Sequence, residues 1–247
     1  MMSQQKDNIE ALAYVSKLVG YQSLSRYRHR AQFLFNDMDF TGQRVLEVGC
    51  GPGAFALWTA LHGAKHVVGI EPESAGSTQG SLQIFRKIIK DLSLGNNVSA
   101  LNTTIEDLIS YNHFFDIVVM FNVINHIDEE AVKILHKDTV ATERYVSVLK
   151  QIKNIMATDG LLIVADCARS NFWVTVGLPS PFAHNIEWNK HQNPKIWISL
   201  FSKAGFIFKD LRWSPLYPLG FLTANRFAQY FTASQFVLRF KTGNHLL

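Results

Sequence analysis

The sequence predicts one α/β domain built on a doubly wound, mostly parallel sheet of seven strands. Short apolar segments of strand length alternate along the chain with longer segments of helical period. The first apolar segment runs into three glycines spaced by two, "VLEVGCGPG" (45–53), as in a buried strand that ends where backbone approaches a ligand. No segment of helix length separates the last two strands. We therefore expect helices on both faces and an antiparallel C-terminal hairpin at the sheet edge.

Two helices are expected before the glycine-rich segment. Apolar residues recur at helical spacing over 9–18 and over 24–38. Gly20 is available to break the first helix, and Ser23 is available as the N-cap of the second.

Strands and helices then alternate in the middle of the chain. The run from 114 is continuously apolar, which suits a strand buried on both faces. In order, the pattern predicts a helix over 54–63 closed by Gly63, a strand over 66–72, a helix within 74–95, a strand over 97–101 and a strand over 114–123.

A long helix is predicted from Asp128 to about Met156. Its first turn, "DEE", is acidic, which the helix dipole favours, and it is expected to end at "TDG" before a fifth strand, "LLIVADC". A further helix follows in "NPKIWISLFSKAGF", with Asn193 as cap, Pro194 in the first turn and Gly205 as terminator. "FIFKDLRWS" and "SQFVLRFK" then complete the hairpin.

Composition excludes several classes of protein. The 24 Lys and Arg residues are scattered and the net charge is only +4, which argues against a nucleic-acid partner. Two cysteines cannot form a disulfide framework and fit a reducing compartment. The N-terminus has no apolar leader and no run of 18 apolar residues follows, so we expect a cytoplasmic protein with no membrane partner.

The glycine-rich turn fits two classes of cofactor. Residues 49–54 match the dinucleotide pattern G-x-G-x-x-G/A, and Glu71 ends the second strand, where an acid that binds ribose hydroxyls belongs. Pro52, however, removes a backbone N–H that a pyrophosphate would use. An NAD(P)-dependent oxidoreductase remains one alternative, and a non-catalytic cofactor-binding protein is another.

Five segments taken in order resemble the successive motifs of class I S-adenosylmethionine-dependent methyltransferases: "VLEVGCGPG", "VVGIEP", "FDIVVMFNVINHI", "DGLLIVADC" and "LFSKAGF". The similarity spans about 41–206. Glu47, two residues before the first glycine, distinguishes this family from dinucleotide binders, because a carboxylate favours a cationic sulfonium cofactor. The resemblance implies a Rossmann-like fold with S-adenosyl-L-methionine as cofactor.

The same resemblance implies the organisation of the chain. Residues 1–40 would supply N-terminal helices that form part of a lid over the cofactor. Residues 41–247 would form the methyltransferase domain, with a substrate-binding insertion at about 168–193.

Cofactor-binding residues are carried over position by position. The resemblance implies that the glycines let the backbone pass the methionine part and that Glu71 holds the ribose hydroxyls. Thr104 stands where the family usually has an acid, which puts the contact to the adenine amino group in doubt. Asn122 would face the cofactor or cap a turn. The full implied set is Glu47, Gly49, Cys50, Gly51, Gly53, Glu71, Pro72, Thr104, Ile105, Glu106, Asn122 and Val123.

The candidate catalytic residues follow from the need to deprotonate a hydroxyl acceptor. His126 is the leading candidate for the base, because it lies just after the fourth strand and an imidazole titrates in the useful range. The long connection after the fifth strand carries His184, Glu187 and His191 among large aromatics, which suits an apolar pocket with a few polar contacts. We expect a small-molecule acceptor and favour O-methylation, with N- or C-methylation of a small metabolite as the alternative.

Two other sites lack support in the sequence. No diproline follows the fourth strand, as it would in enzymes that methylate amino groups of DNA bases. No metal-ligand spacing is present, and Asp166 has no second acid at the position of Asn122, so no metal is expected.

Overall fold

The computed structural model of the chain describes residues 2–73, 79–108, 114–135, 137–183 and 186–243. They form two compact units, Met1–Val119 and Met120–Leu247. None of the helices in these described ranges combines the length and the apolar character needed to cross a membrane.

The first unit alternates helices and strands as predicted. The first strand, Arg44–Val48, pairs in parallel with the second, His66–Ile70, and the second in parallel with the third, Val98–Leu101. The last two residues of its final strand lie in the second unit. In chain order the elements are α1 (Met2–Leu18), α2 (Leu24–Phe35), β1 (Arg44–Val48), α3 (Ala54–Leu61), β2 (His66–Ile70), α4 (Ser81–Asp91), β3 (Val98–Leu101), α5 (Ile105–Leu108) and β4 (Phe115–Phe121).

Helix ends in the first unit follow local chemistry. Ser23 caps α2, because its side chain accepts a hydrogen bond from the backbone N–H of Arg26. α2 ends three residues before the predicted Met38, where Asn36 turns the chain with a φ of 55°. The helix predicted within 74–95 is present as α4. Gly80, with a φ of 84°, precedes a helix that begins only at Ser81, and residues 74–78 lie outside the described ranges.

The second unit contains the remaining strands and helices. The last strand of the chain pairs antiparallel with the two strands that precede it, for example Leu238 opposite Val164 of one and opposite Leu211 of the other. The elements are α6 (Glu129–Ile134), α7 (Thr139–Asn154), β5 (Met156–Cys167), α8 (Phe172–Val176), α9 (Pro194–Lys203), β6 (Phe206–Trp213), α10 (Arg226–Tyr230) and β7 (Gln235–Thr242).

The seven strands have the order β3-β2-β1-β4-β5-β7-β6. The predicted Rossmann-like sheet with its antiparallel C-terminal hairpin is therefore confirmed. Within the hairpin the later strand lies further from the sheet edge: β7 lies between β5 and β6, and β6 is the edge strand.

The prediction of one helix from Asp128 to Met156 is wrong. Two helices occupy this stretch, and each begins with an aspartate whose carboxylate accepts a backbone N–H: Asp128 from Ala131, and Asp138 from Ala141. A second N-cap inside the helical pattern thus starts a new helix, because capping satisfies otherwise unpaired N–H groups.

The predicted break at "TDG" is also wrong. β5 begins at Met156 and passes through "TDG", with Asp159 at a φ of 61° inside the strand.

Asn193 occupies the N-cap position of α9 but does not cap the helix with its side chain. Its amide instead bonds Ser170, accepting from the backbone N–H at 2.9 Å.

Candidate functional site

The glycine-rich turn joins β1 to α3 in a tight path. Gly49, Gly51 and Gly53 all have positive φ, at 66°, 48° and 80°. The N–H of Cys50 donates to the carbonyl of Ile70 at 3.0 Å, which ties the turn to β2. These left-handed conformations explain why glycine occupies the three positions.

Two of these glycines meet different surroundings. A Cβ on Gly53 would lie 2.4 Å from the ring of Phe85, so this glycine is required for packing against α4. A Cβ on Gly51 would meet nothing within 4 Å. Gly51 therefore borders open space at the end of β1, and this cradle fits a bound cofactor that passes close to the backbone.

Glu71 lies against the same turn. Its carboxylate is buried, and Oε2 accepts the N–H of Gly51 at 2.7 Å. Within the described ranges Oε1 accepts no hydrogen bond. The N–H of Gly51 thus fixes the carboxylate beside the open space and leaves one oxygen to accept a ligand hydroxyl, which fits the ribose contact implied for Glu71.

Glu47 is buried beneath the turn. Its Oε2 accepts the N–H of Ala56 at 2.7 Å, in the first turn of α3. Burial raises the pKa of this carboxyl to about 8, although the backbone N–H groups of Ala56 and Phe55 act in the opposite direction. A cation nearby, such as the sulfonium of the cofactor, would stabilise the charged form of this carboxyl.

We expect Glu47→Gln to remove a pH dependence of stability. An acid whose pKa rises on folding from 4.5 to about 8 costs stability as the pH rises between those values, because the unfolded chain releases a proton that the folded chain retains. The slope is about 1.4 kcal/mol per pH unit. Gln keeps an oxygen for the Ala56 N–H. Urea unfolding of both proteins at pH 5, 6.5 and 8 measures the difference, which should grow with pH in favour of the variant; a constant difference would contradict the assignment.

The N-terminal helices contact the segment after the turn. Tyr27 of α2 is fully buried, and its hydroxyl donates to the carbonyl of Ala54. Its ring packs edge-on against Trp58 at 5.4 Å. Burial raises the pKa of Tyr27 well above its ordinary value. The lid role of residues 1–40 stays a prediction.

The segment implied to contact adenine begins at Thr104. Its hydroxyl accepts the N–H of Asp107 at 3.3 Å and so caps α5. Ile105 is buried and Glu106 is exposed. Thr104 therefore has a structural role, as the N-cap of α5, that the side chain of an aspartate could also perform.

The other implied cofactor residues lie at strand ends. Burial raises the pKa of the Cys50 thiol well above its ordinary value, so it stays neutral. Pro72 follows Glu71 after β2. In the second unit Asn122 adopts a φ of 53° after β4 and donates its N–H to the carbonyl of Ala165 at 2.8 Å. Val123 follows it and is half-buried.

A buried imidazole and a buried carboxylate meet in the second unit. His191 Nδ1 lies 2.8 Å from Oδ1 of Asp166, the penultimate residue of β5, and Asp166 is inaccessible to solvent. Because a carboxylate only accepts, Nδ1 donates this hydrogen bond, and in the neutral form of the ring Nε2 then presents a lone pair. No described group donates to Oδ2 of Asp166.

His126 and Glu187 belong to a different, exposed network. His126 Nδ1 lies 2.7 Å from Glu129, and Nε2 lies 3.3 Å from the amide nitrogen of Asn125. Lys190 bridges Glu129 at 2.7 Å and Glu187 at 2.9 Å. Lys190 and then His126 hold the pKa of Glu129 below its ordinary value. Both ring nitrogens of His126 are thus engaged.

The structure does not bring all the predicted catalytic residues together. His191 is buried, whereas His126 and Glu187 are exposed. His184 lies outside the described residues. Sequence reasoning noted Asp166 only as an isolated acid and missed its pairing with His191. The available signal was a charged residue at the end of a continuously apolar strand, where an unpaired carboxylate would be costly.

The insertion after β5 is partly ordered by aromatic contacts. Asn171 caps α8 by accepting the N–H of Val174. The indole N–H of Trp173 donates to the carbonyl of Phe231 at 2.8 Å. α8, which lies in the segment predicted at 168–193 as a substrate-binding insertion, therefore packs against the residues around α10.

The chain is similar to known methyltransferases. A family model described as "Methyltransferase domain" matches residues 20–208. Protein arginine N-methyltransferase 1 of Saccharomyces cerevisiae is 28% identical over 80 residues, which are 32% of this chain and 21% of that protein. The ubiquinone biosynthesis O-methyltransferase of Ruegeria sp. is 24% identical over 203 residues, 73% of this chain and 70% of that protein.

A solved structure shares the fold. The magnesium protoporphyrin IX methyltransferase of Synechocystis PCC 6803, with S-adenosylhomocysteine bound, superposes with a TM-score of 0.57 at 15% identity. The match covers 89% of this chain and 83% of that one.

Proposed function

The chain belongs to the class I S-adenosylmethionine-dependent methyltransferases, and on this premise we propose that it methylates a hydroxyl group of a small molecule. Membership decides against the oxidoreductase and the non-catalytic binder. The nature of the acceptor and the residue that deprotonates it are the parts proposed here.

Residues of the first unit would hold the cofactor. The open face of Gly51 would admit its methionine part, and the free oxygen of Glu71 would accept from the ribose hydroxyls. When bound, S-adenosylmethionine supplies a methyl group on a positively charged sulfur, which is a good leaving group. The protein therefore has to align an acceptor and remove its proton.

The observation that carries the proposal is the pair formed by His191 and Asp166. With Nδ1 held by the carboxylate, Nε2 would take the proton of an acceptor hydroxyl as the oxygen attacks the methyl carbon. The imidazolium that forms would then face a buried carboxylate, which stabilises it strongly in a site of low dielectric constant. Asp166 would orient the ring and compensate its charge.

A hydroxyl needs this help more than an amine does. A neutral amine already has a free lone pair, whereas a hydroxyl becomes a strong nucleophile only as its proton leaves. A buried and oriented base is therefore better matched to O-methylation. The similarity to ubiquinone biosynthesis O-methyltransferases supports the same choice.

A small acceptor is supported by the insertion at 168–193. It places aromatic side chains such as Phe172 and Trp173 on the segment that follows Asp166. Apolar and aromatic walls with a few polar groups are typical of small-molecule sites. We propose that this segment contributes to the acceptor site.

Matched acceptors test the choice of atom. We expect formation of S-adenosylhomocysteine with a panel of phenols and little with the corresponding anilines, and mass spectrometry should find the added methyl group on oxygen. Each phenol and its aniline have nearly the same shape, so the difference isolates the reacting atom. Turnover of anilines without turnover of phenols would contradict O-methylation.

A further inference from the structure

A cavity of about 200 Å³ lies within the second unit, and its lining includes neither His191 nor Asp166. Leu211 and Pro194 give it an apolar surface, and the rings of Trp213 and Tyr230 also line it. An apolar cavity of about 150 Å³ is large enough for benzene. The volume therefore admits one aromatic ring with a substituent.

The two aromatic walls are held in place by other rings. Trp213 packs edge-on against Phe236 at 6.1 Å, and Tyr230 packs edge-on against Phe172 at 6.5 Å. The hydroxyl of Tyr230 also lies 3.2 Å from that of Thr175. Rings fixed in this way offer preformed flat surfaces, which lowers the entropy cost of binding a planar ligand.

Two cations line the same cavity, Lys195 and Arg226, and no acidic residue does. In the part of the chain that the structure describes, neither cation forms an ion pair. Lys195 lies in the first turn of α9, where the helix dipole is already positive, and the side chain of Asn193 does not cap that helix. Both side chains are exposed and carry no described ion pair, so they would be available to pair with an anionic group on the ligand.

We propose that this cavity binds the ring and carboxylate of an aromatic acid, and that it anchors the acid end of the acceptor. The second half of this inference rests on the proposed function. Proximity in the sequence supports it, because the segments that line the cavity also carry the catalytic pair. Ala168 follows Asp166 by two residues, and Pro194 follows His191 by three. The acceptor class is then a hydroxylated aromatic carboxylate.

Calorimetric titration with 4-hydroxybenzoate and with its methyl ester tests binding directly, without cofactor or turnover. We expect the acid to bind at least about tenfold more tightly than the ester, because charge-assisted hydrogen bonds would be lost in the ester. Lys195→Gln combined with Arg226→Gln should remove this preference. The control, Lys203→Gln combined with Lys209→Gln, removes the same charge from exposed positions outside the cavity lining and should retain it.

Equal affinity for acid and ester, absence of binding, or an unchanged preference in the cavity variant would each overturn the inference. Loss of the preference in the control variant as well would assign it to net charge and overturn it too. S-adenosylmethionine is titrated into the same native sample. Binding of the cofactor without binding of the acid overturns this inference alone, whereas failure to bind the cofactor overturns the proposed function.

Discussion

Gly51→Val should reduce the affinity for S-adenosylmethionine by at least about a hundredfold, because the new side chain would fill the space that the cofactor needs. The position is suited to this test, since a Cβ there meets nothing within 4 Å in the protein itself. The lost affinity would therefore come from the ligand and not from a clash inside the fold. Isothermal titration with the cofactor measures it.

Gly42→Val is the matched control. Gly42 also has a positive φ, 76°, and a Cβ there also meets nothing within 4 Å, but it lies before β1 and away from the turn. Both variants carry similar backbone strain, so both should lose similar stability, by about 1 to 2 kcal/mol. Unchanged cofactor affinity in Gly51→Val, or equal losses in both variants, would remove the turn from the cofactor site.

His191→Ala should lower kcat by about 10² to 10⁴, the usual contribution of a general base, and leave the affinity for S-adenosylmethionine nearly unchanged. His126→Ala should lower kcat less than about tenfold, because both nitrogens of that ring already have partners and exposed polar contacts contribute little. Steady-state rates at saturating acceptor and cofactor measure both.

The Asp166→Asn variant separates the electrostatic role of Asp166 from its role in packing. Asn preserves the shape of the side chain but cannot stabilise an imidazolium, so kcat should fall while the KM values change little. A large loss in His126→Ala with full activity in His191→Ala would move the base to the exposed network. Full activity in all three variants would indicate that the enzyme only positions an acceptor that is already reactive, and O-methylation would lose its support.

Local patterns predicted most of the fold. The apolar run before Gly49 and the spacing of the glycines are sufficient to place β1 and its turn, because strand burial and positive φ both depend on residue type. The same reasoning failed over 128–156. There Asp138 introduces a second N-cap inside an otherwise continuous helical period, and capping outweighs propensity over a single turn.

The sequence predicted which motifs contribute to the candidate site, but not the contacts between residues that are distant in the chain. Gly51 and Glu71 are 20 residues apart, and motif order placed both of them near one ligand, yet nothing in the sequence shows that the N–H of one holds the carboxylate of the other. Asp166 and His191 are 25 residues apart, with α8 between them. Their pairing depends on tertiary packing, so residue spacing could not predict it.

Titration of the native chain and of Glu71→Ala with S-adenosylmethionine and with NADH tests the central claim most directly. We expect the native chain to bind S-adenosylmethionine and not NADH, and Glu71→Ala to lose about 10- to 100-fold in affinity as a charged acceptor of hydroxyl hydrogen bonds is removed. Glu10→Ala, which removes an exposed carboxylate from α1, should bind like the native chain. Binding of NADH in place of S-adenosylmethionine, or full affinity in Glu71→Ala, would contradict the account.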